Sequence, residues 1–339
     1  MSAFRILVFV LMSLVWSDVA LADGGHPQRP YRIYMALFRG WEDAAQGFKD
    51  YFVSQHIPVE LIVRDAAQDE KKIKDFVVEA KSLKPDLIFT WGTSVSLGML
   101  GSGPNPDPEQ YITDIPAVFA VVSQPTRTGL VPDFNSSGRN ITGTTYLVPV
   151  STQISLIQSY RPLHRLGVVY NPLEKNSLLT LEEIKALAEK MDFTVVAEPI
   201  DVVDNHPDAS SIVTKVDAIQ AAGVDFLYIP PDTFLNLNRD LLTSLCLERH
   251  IPTFAAAENP VLTSQAMFGG VYRYYTVGQM TAYKALQILQ GKALPKDIPV
   301  DAPKRLSIIL NMPVIRKLEL YPPMKLLRLA EIIDTNSGQ

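Results

Sequence analysis

The feature that most constrains the fold of this chain is an alternation of short, β-rich apolar runs with longer segments of helical period, written twice along its 339 residues. The first copy reads as strands at Tyr31 to Leu37, Val59 to Val63, Leu87 to Trp91 and Ala117 to Val122, separated by helical segments at Trp41 to Gln55, Asp69 to Leu83 and Ser94 to Leu100. The second reads as strands at Leu166 to Tyr170, Phe193 to Ala197, Phe226 to Ile229 and Thr253 to Ala256, with helices near Ser177 to Met191, Ser210 to Ala221 and Phe234 to Arg249. Strands that alternate with helices pair in parallel, because each helix carries the chain back to the starting edge of the sheet. The copies share wording as well as order. Pro85-Asp86-Leu87-Ile88-Phe89 aligns with Val224-Asp225-Phe226-Leu227-Tyr228, and Ile115-Pro116 with Ile251-Pro252. Their offset, about 136 to 140 residues, far exceeds the roughly 20 to 50 of stacked repeats. The expected fold is therefore α/β, with two doubly wound parallel-sheet lobes joined by a hinge and arising from a duplicated domain.

The lobes are expected to be discontinuous in sequence. Asn140 to Val150, carrying Pro149, leaves the first copy and reads as a crossover. After the second copy, Gly270 to Tyr275 leads into a helix at Val277 to Gln290, stopped by Gly291, and a further strand is read at Leu306 to Leu310. Residues 23–147 plus about 272–300 would then form one lobe, and 148–271 plus about 301–335 the other. Residues 1–22 read as a cleavable signal peptide. Arg5 precedes the apolar run Ile6 to Trp16, and Ala20-Leu21-Ala22 supplies small residues for the peptidase, giving a mature start near Asp23. A run of about 11 residues is too short for a bilayer span, which needs roughly 20.

Charge and cysteine content narrow the setting. Lys and Arg number 31 against 36 Asp and Glu, so a basic nucleic-acid surface is not expected. The sole cysteine, Cys246, lies far from the signal and cannot be a lipidated first residue, and a single thiol cannot form an intramolecular disulfide. The expected location is a bacterial periplasm, without a lipid anchor, and a monomer is expected.

In open parallel sheets, ligands bind beyond the carboxyl ends of the strands, where helix N-termini with free N–H groups converge. At those ends the chain places Phe38-Arg39-Gly40-Trp41-Glu42, Trp91-Gly92-Thr93-Ser94, Ser123-Gln124-Pro125, Asn171-Pro172, Asp232-Thr233 and Glu258-Asn259. Gly92 permits a sharp turn, after which Thr93 and Ser94 either cap a helix or, with its first N–H groups, receive a carboxylate or phosphate. Asp232 and Glu258 are candidates to hold an ammonium group, or else cap helices and face solvent. Trp41, Trp91, Tyr272 and Tyr274 offer stacking surface or core.

Several chemistries lack their residues. His26, His56, His164, His206 and His250 show no metal-ligand spacing, and Cys246 sits in an apolar helical pattern that suggests an inert buried thiol. There is no P-loop, no Gly-x-Gly-x-x-Gly after the first strand and no Gly-x-Ser-x-Gly elbow. No cofactor is expected.

Gly47-Phe48-Lys49-Asp50, Lys84-Pro85-Asp86-Leu87-Ile88, Phe119 to Pro125 with Gly129-Leu130-Val131, and Asn140-Ile141-Thr142-Gly143 occur in order with Gly167 to Pro172, Asn176-Ser177 and Arg305 to Asn311. In this ordered set the chain resembles the substrate-binding proteins of ABC importers, in particular the subfamily that includes tryptophan- and tyrosine-binding proteins. The resemblance implies a type I periplasmic binding fold whose lobes close on a solute and dock onto a membrane permease. It also implies ligand contacts from Trp41, Glu42, Gly92, Thr93, Ser94, Gln124, Pro125, Asn171, Asn176, Ser177, Asp232, Thr233, Glu258 and Tyr272. Two departures stand out. Such proteins usually have an acidic residue where Gln124 stands, and an Ala-Gly-Glu or Ala-Gly-Asp motif where this chain has Ala256-Ala257-Glu258.

The expected function is capture of a small anionic or zwitterionic solute, with an amino acid the leading class and an ABC permease the receiving partner. Two rivals remain open at this point. One is a sensory protein presenting the solute to a membrane receptor kinase, and the other is a cleft enzyme using Asp232 and Glu258 as acid and base.

Overall fold

The computed structural model describes residues 29–334, so the expected signal segment lies outside the described residues. The first lobe is built from β1 (Tyr31–Leu37), α1 (Asp43–Ser54), β2 (Val59–Asp65), α2 (Lys72–Leu83), β3 (Leu87–Trp91), α3 (Thr93–Leu100), β4 (Ala117–Val122) and β5 (Ile141–Thr145). These strands form one parallel sheet in the order β2-β1-β3-β4-β5. Helices cover both of its faces, which is why β3 and β4 are apolar runs buried along their whole length and show no in–out alternation.

The second lobe follows with α4 (Val150–Tyr160), β6 (Arg165–Tyr170), α5 (Lys175–Ala188), β7 (Thr194–Pro199), a small hairpin of β8 (Val202–Val203) and β9 (His206–Pro207), α6 (Ser211–Ala221), β10 (Phe226–Ile229), α7 (Thr233–Leu237), α8 (Arg239–Glu248), β11 (Thr253–Ala255), α9 (Asn259–Leu262) and β12 (Phe268–Val271). Its sheet runs β7-β6-β10-β11-β12 before two further strands are added. Counted within each lobe, both sheets follow the order second, first, third, fourth, fifth. The strand order reverses beside the first strand while all five strands stay parallel, and that switch point opens a crevice at the carboxyl edge of each sheet.

Three crossovers connect the lobes. Residues 146–149 lead out of β5 into α4. Residues 272–273 lead from β12 into α10 (Tyr274–Leu289), which returns to pack against α1 and the β4 and β5 strands of the first lobe. A short 3-10 turn (Pro295–Asp297) precedes the third crossover, after which β13 (Ser307–Asn311), α11 (Met312–Leu318), α12 (Met324–Leu327) and β14 (Ala330–Ile333) complete the second lobe. Two of these connections touch. The Thr145 N–H donates to Asp301 O (2.9 Å), and the buried Lys284 ammonium donates to Gly143 O (2.6 Å), Pro299 O (2.8 Å) and Asp301 Oδ1 (2.5 Å).

The structure differs from the sequence reading in several elements. The segment read only as a crossover contains β5, because the β-branched run Ile141-Thr142-Gly143-Thr144-Thr145 pairs with β4 before leaving the lobe. The single helix read over Phe234 to Arg249 is two. Asn238 breaks it, its side-chain amide donating to Phe234 O (2.9 Å) with its backbone outside the helical region. Strands β12 and β14 and helices α4, α11 and α12 were not expected. The second sheet is also mixed, since β13 runs antiparallel to β12.

Candidate functional site

The carboxyl edges of the two sheets face each other across one crevice. Its first-lobe wall starts at the end of β1, where Phe38 and Arg39 enter it, and continues at the end of β3 with Trp91, Gly92, Thr93 and Ser94. The end of β4 adds Val121 and Ser123, and the crossovers add Tyr146 and Tyr274. The second lobe contributes Glu174 and Asn176 around the start of α5, Ile229 to Thr233 after β10, Asn236 of α7, and Ala257 and Pro260 after β11.

The first-lobe wall carries hydrogen-bond donors and one guanidinium. Gly92 has φ 85°, open to glycine but costly for a residue with a Cβ, and this turn starts α3 directly at the crevice. The Ser96 N–H is bonded to Gly92 O (3.1 Å), and no side chain caps the helix start. The first N–H groups of α3 are thus without helical partners, and Thr93 and Ser94 line the same wall. Arg39 adds a full charge. Its side chain is only 5% exposed, and its guanidinium carbon lies 4.7 Å from the Trp91 ring centroid. Arg39 Nε donates to Glu42 Oε1 (2.9 Å). With the Asn236 amide turned so that its oxygen faces the guanidinium, that oxygen accepts from Arg39 Nη1 (3.1 Å) and Nη2 (3.3 Å), a bridge between lobes. Trp91 Nε1 is buried without a hydrogen-bond partner.

Backbone strain marks the same wall. Val121 has φ 59°, a left-handed conformation that a β-branched residue rarely adopts, and the β4–β5 register shifts between Ala120 and Val122. The bulge carries Ser123 into the crevice, where its hydroxyl lies 3.2 Å from that of Tyr146. Tyr146 in turn stands edge-on to Tyr274, ring centroids 5.2 Å apart, and burial pushes its phenol up to about 12.

The second-lobe wall is acidic. Glu174 accepts from the Thr233 N–H at both oxygens (3.0 and 2.8 Å), from the Thr233 hydroxyl (2.8 Å) and from Asn176 Nδ2 (3.1 Å). Asp232 lies beside it but is tied into its own lobe. Its carboxylate accepts from the N–H of Leu235 as an N-cap (2.9 Å), from the Asn171 N–H (2.9 Å) and from the Ser177 hydroxyl (2.7 Å). Burial first, and then the nearby Asp232 charge, raise Glu174 to about 8; burial also raises Asp232, against the hydrogen bonds it accepts.

The residues singled out by sequence divide into three groups. Gly92, Thr93, Ser94, Asn176, Asp232 and Thr233 line one cavity, together with Trp91 and Tyr274. Glu42, Asn171 and Ser177 stand behind it, holding Arg39 or Asp232 in place. The remainder lie elsewhere. Trp41 is 42% exposed with its Nε1 on Gln46 Oε1 (2.8 Å), and Tyr272 packs against the first-lobe core. Gln124, next to the buried Pro125, meets Glu183 (3.3 Å) at the seam between lobes. Glu258 sits at a crossover, its Oε1 accepting from the Tyr274 N–H (3.0 Å) and its Oε2 lying 2.7 Å from Arg273 Nε without hydrogen-bond alignment. Sequence reasoning missed Arg39, Val121, Tyr146, Glu174 and Asn236. Arg39 lay inside a segment already placed at a strand end, and Glu174 lay between Asn171 and Asn176.

The described histidines, His56, His164, His206 and His250, are exposed, and no cluster with metal-binding composition occurs among the described residues. Cys246 is fully buried, its thiol pushed up to about 12 by burial.

Comparison with known proteins places these features in a family context. The model of a family described as ABC transporter substrate binding protein matches residues 41–333. A tyrosine-binding protein of Clostridioides difficile (strain R20291) is 26% identical over 277 residues, 81% of this chain and 73% of that protein. Among solved structures, a conserved domain protein from Vibrio cholerae superposes with TM-score 0.78 at 21% identity, covering 90% of this chain and 99% of that one. An ABC domain from Streptococcus pneumonia in complex with L-Trp gives 0.75 at 22%, covering 88% and 99%. A ligand-free, open substrate-binding protein with adhesive properties from Clostridium difficile gives 0.69 at 23%, covering 90% and 100%.

Proposed function

Because the chain belongs to the family of ABC transporter substrate-binding proteins, its matched span running from Trp41 to Ile333, we propose that it captures a zwitterionic α-amino acid between its lobes outside the cytoplasmic membrane and hands it to an ABC permease. The observation that carries this reading is that Arg39 and the start of α3 on one lobe face the Glu174 and Asp232 carboxyl groups on the other, carboxyls that an arriving ammonium would favour in their ionised form. The solute's carboxylate meets Arg39, the start of α3 and the Thr93 and Ser94 hydroxyls on one lobe, and its ammonium meets Glu174 on the other, with Asp232 behind. Each charged end then contacts a different lobe. Binding therefore favours the closed arrangement over the open one, which is the differential affinity a ligand needs to shift a two-state protein. The names of the relatives, one tyrosine-binding and one solved with L-Trp, support an amino acid as the class. Departing from the sequence expectation, we assign the ammonium to Glu174 and give Glu258 a hinge role through the Tyr274 N–H.

Calorimetric titration with L-tyrosine and L-tryptophan tests this. The expected result is saturable one-to-one binding, weakened by about tenfold to a hundredfold in Arg39→Ala, the effect of removing a hydrogen-bonded charge from a carboxylate site. Absence of binding for every amino acid tried, or an Arg39→Ala protein that binds as tightly as the parent, would contradict it.

A further inference from the structure

Resting on the amino-acid reading above, the geometry points to a side-chain subsite outside the charged crevice: the groove between α2, α3 and the Tyr111 and Leu173 loops takes an elongated apolar side chain that projects outward from the bound head group. Two observations combine. The inner cavity leaves only about 30 Å³ with the lobes as they stand. Arg39 stacks on Trp91 at one wall, and Tyr146 meets Tyr274 edge-on at another. With the lobes at this separation, that space has no room for a side chain. The second cavity is about 590 Å³, within the roughly 300–1,000 Å³ typical of small-molecule pockets.

The two cavities are neighbours that share part of their lining. Thr93, Ser94, Glu174 and Asn176 line both, so the residues expected to hold the head group also border the groove. Beyond them Ile73 and Val77 of α2, Leu97 of α3, Tyr111, and Leu173 from the opposite lobe give the groove an apolar stretch, bordered by Glu70, Lys74, Glu109 and Lys175. Leu173 is 47% exposed and Val78, on the same groove, 69% exposed, so both keep apolar surface in water that a ligand's side chain would cover. Because the walls come from both lobes, an apolar side chain lying there adds to closure, and selectivity for side-chain length is set in the groove and not in the inner cavity.

The test is calorimetric titration of the protein with straight-chain L-amino acids from alanine through norvaline to norleucine. Each added methylene is expected to lower Kd by roughly three- to fourfold, the yield of burying one CH₂. In Val78→Trp, an exposed-surface substitution whose ring intrudes on the groove, the ratio of the alanine and norleucine constants is expected to shrink by about tenfold. A flat or inverted series in the parent protein overturns the subsite while leaving the zwitterion reading intact, as does a Val78→Trp protein that keeps the full gradient and the parent's melting temperature. Failure of every member, alanine included, to bind overturns both.

Discussion

Glu174 is the residue whose chemistry most distinguishes the crevice from an ordinary surface. Its carboxyl, raised to about 8 by burial and the nearby Asp232, favours the protonated form in the folded, ligand-free protein at pH 7, whereas in the unfolded chain it is ionised. The folded state therefore holds the extra proton, and ligand-free stability falls as pH rises from the ordinary carboxylate range towards 8. Glu258, raised to about 7 by burial, acts in the same direction, so the informative quantity is the difference between the parent and Glu174→Gln. An arriving ammonium favours the ionised carboxylate. Amino-acid binding at pH 7 is then expected to release up to about one proton, measured by calorimetry in two buffers of different ionisation enthalpy, with less release from Glu174→Gln. Buffer-independent heats in the parent would refute this role. None of it was legible in the sequence. Glu174 precedes α5 in a loop, and only the folded chain brings Thr233, 59 positions away, onto its oxygens. Asp232, at a recognisable strand end, was legible as a position; only the fold shows that its carboxylate already accepts from Leu235, Asn171 and Ser177, which is why the proposal gives the ammonium to Glu174.

At the level of elements, the strands that make the inner sheets were readable because burial on both faces leaves an uninterrupted apolar signal. β1, β3, β4 and β10 fall at the positions expected from sequence. Elements that depend on a partner for their identity were not. β5 contains Gly143 and three threonines and becomes a strand only beside β4, while β14 exists as the neighbour of β13. The return of α10 to the first lobe leaves a similar trace only in hindsight. Gly47 of α1 and Gly278 of α10 sit where a Cβ would press into the backbone of the facing helix, at Tyr275 O and Ala44 O respectively. Rigid backbone on the far side cannot yield as a side-chain tip would. Gly278→Ala is thus expected to destabilise the protein by about 1–3 kcal/mol despite the better helix propensity of alanine, seen as a lowered denaturation midpoint. An unchanged or raised midpoint would show that the helices can separate at no cost.

For the whole molecule, the two lobes are joined across the crevice by more than the crossovers. Arg127 of the first lobe donates to Leu179 O (2.9 Å) and Glu182 Oε2 (2.8 Å) on α5, Gln124 reaches Glu183 (3.3 Å), and Lys175 Nζ donates to Thr128 O (3.1 Å). Two of these four contacts are exposed and two are part-buried; the exposed ones are weak singly, so they join the lobes without making the arrangement irreversible. That suits the proposed opening of the lobes to load and unload the solute. The central claim is that one small solute spans both lobes, its carboxylate on Arg39 and α3 and its ammonium on Glu174. The most direct test is calorimetric titration with L-phenylalanine, 3-phenylpropionate and phenethylamine, which share a ring but carry both charged groups, only the carboxylate, or only the ammonium. Loss of either group is expected to weaken binding by about tenfold or more, since a charged contact on one lobe is forfeited each time. If either single-charge compound bound as tightly as the amino acid, the spanning arrangement would be wrong.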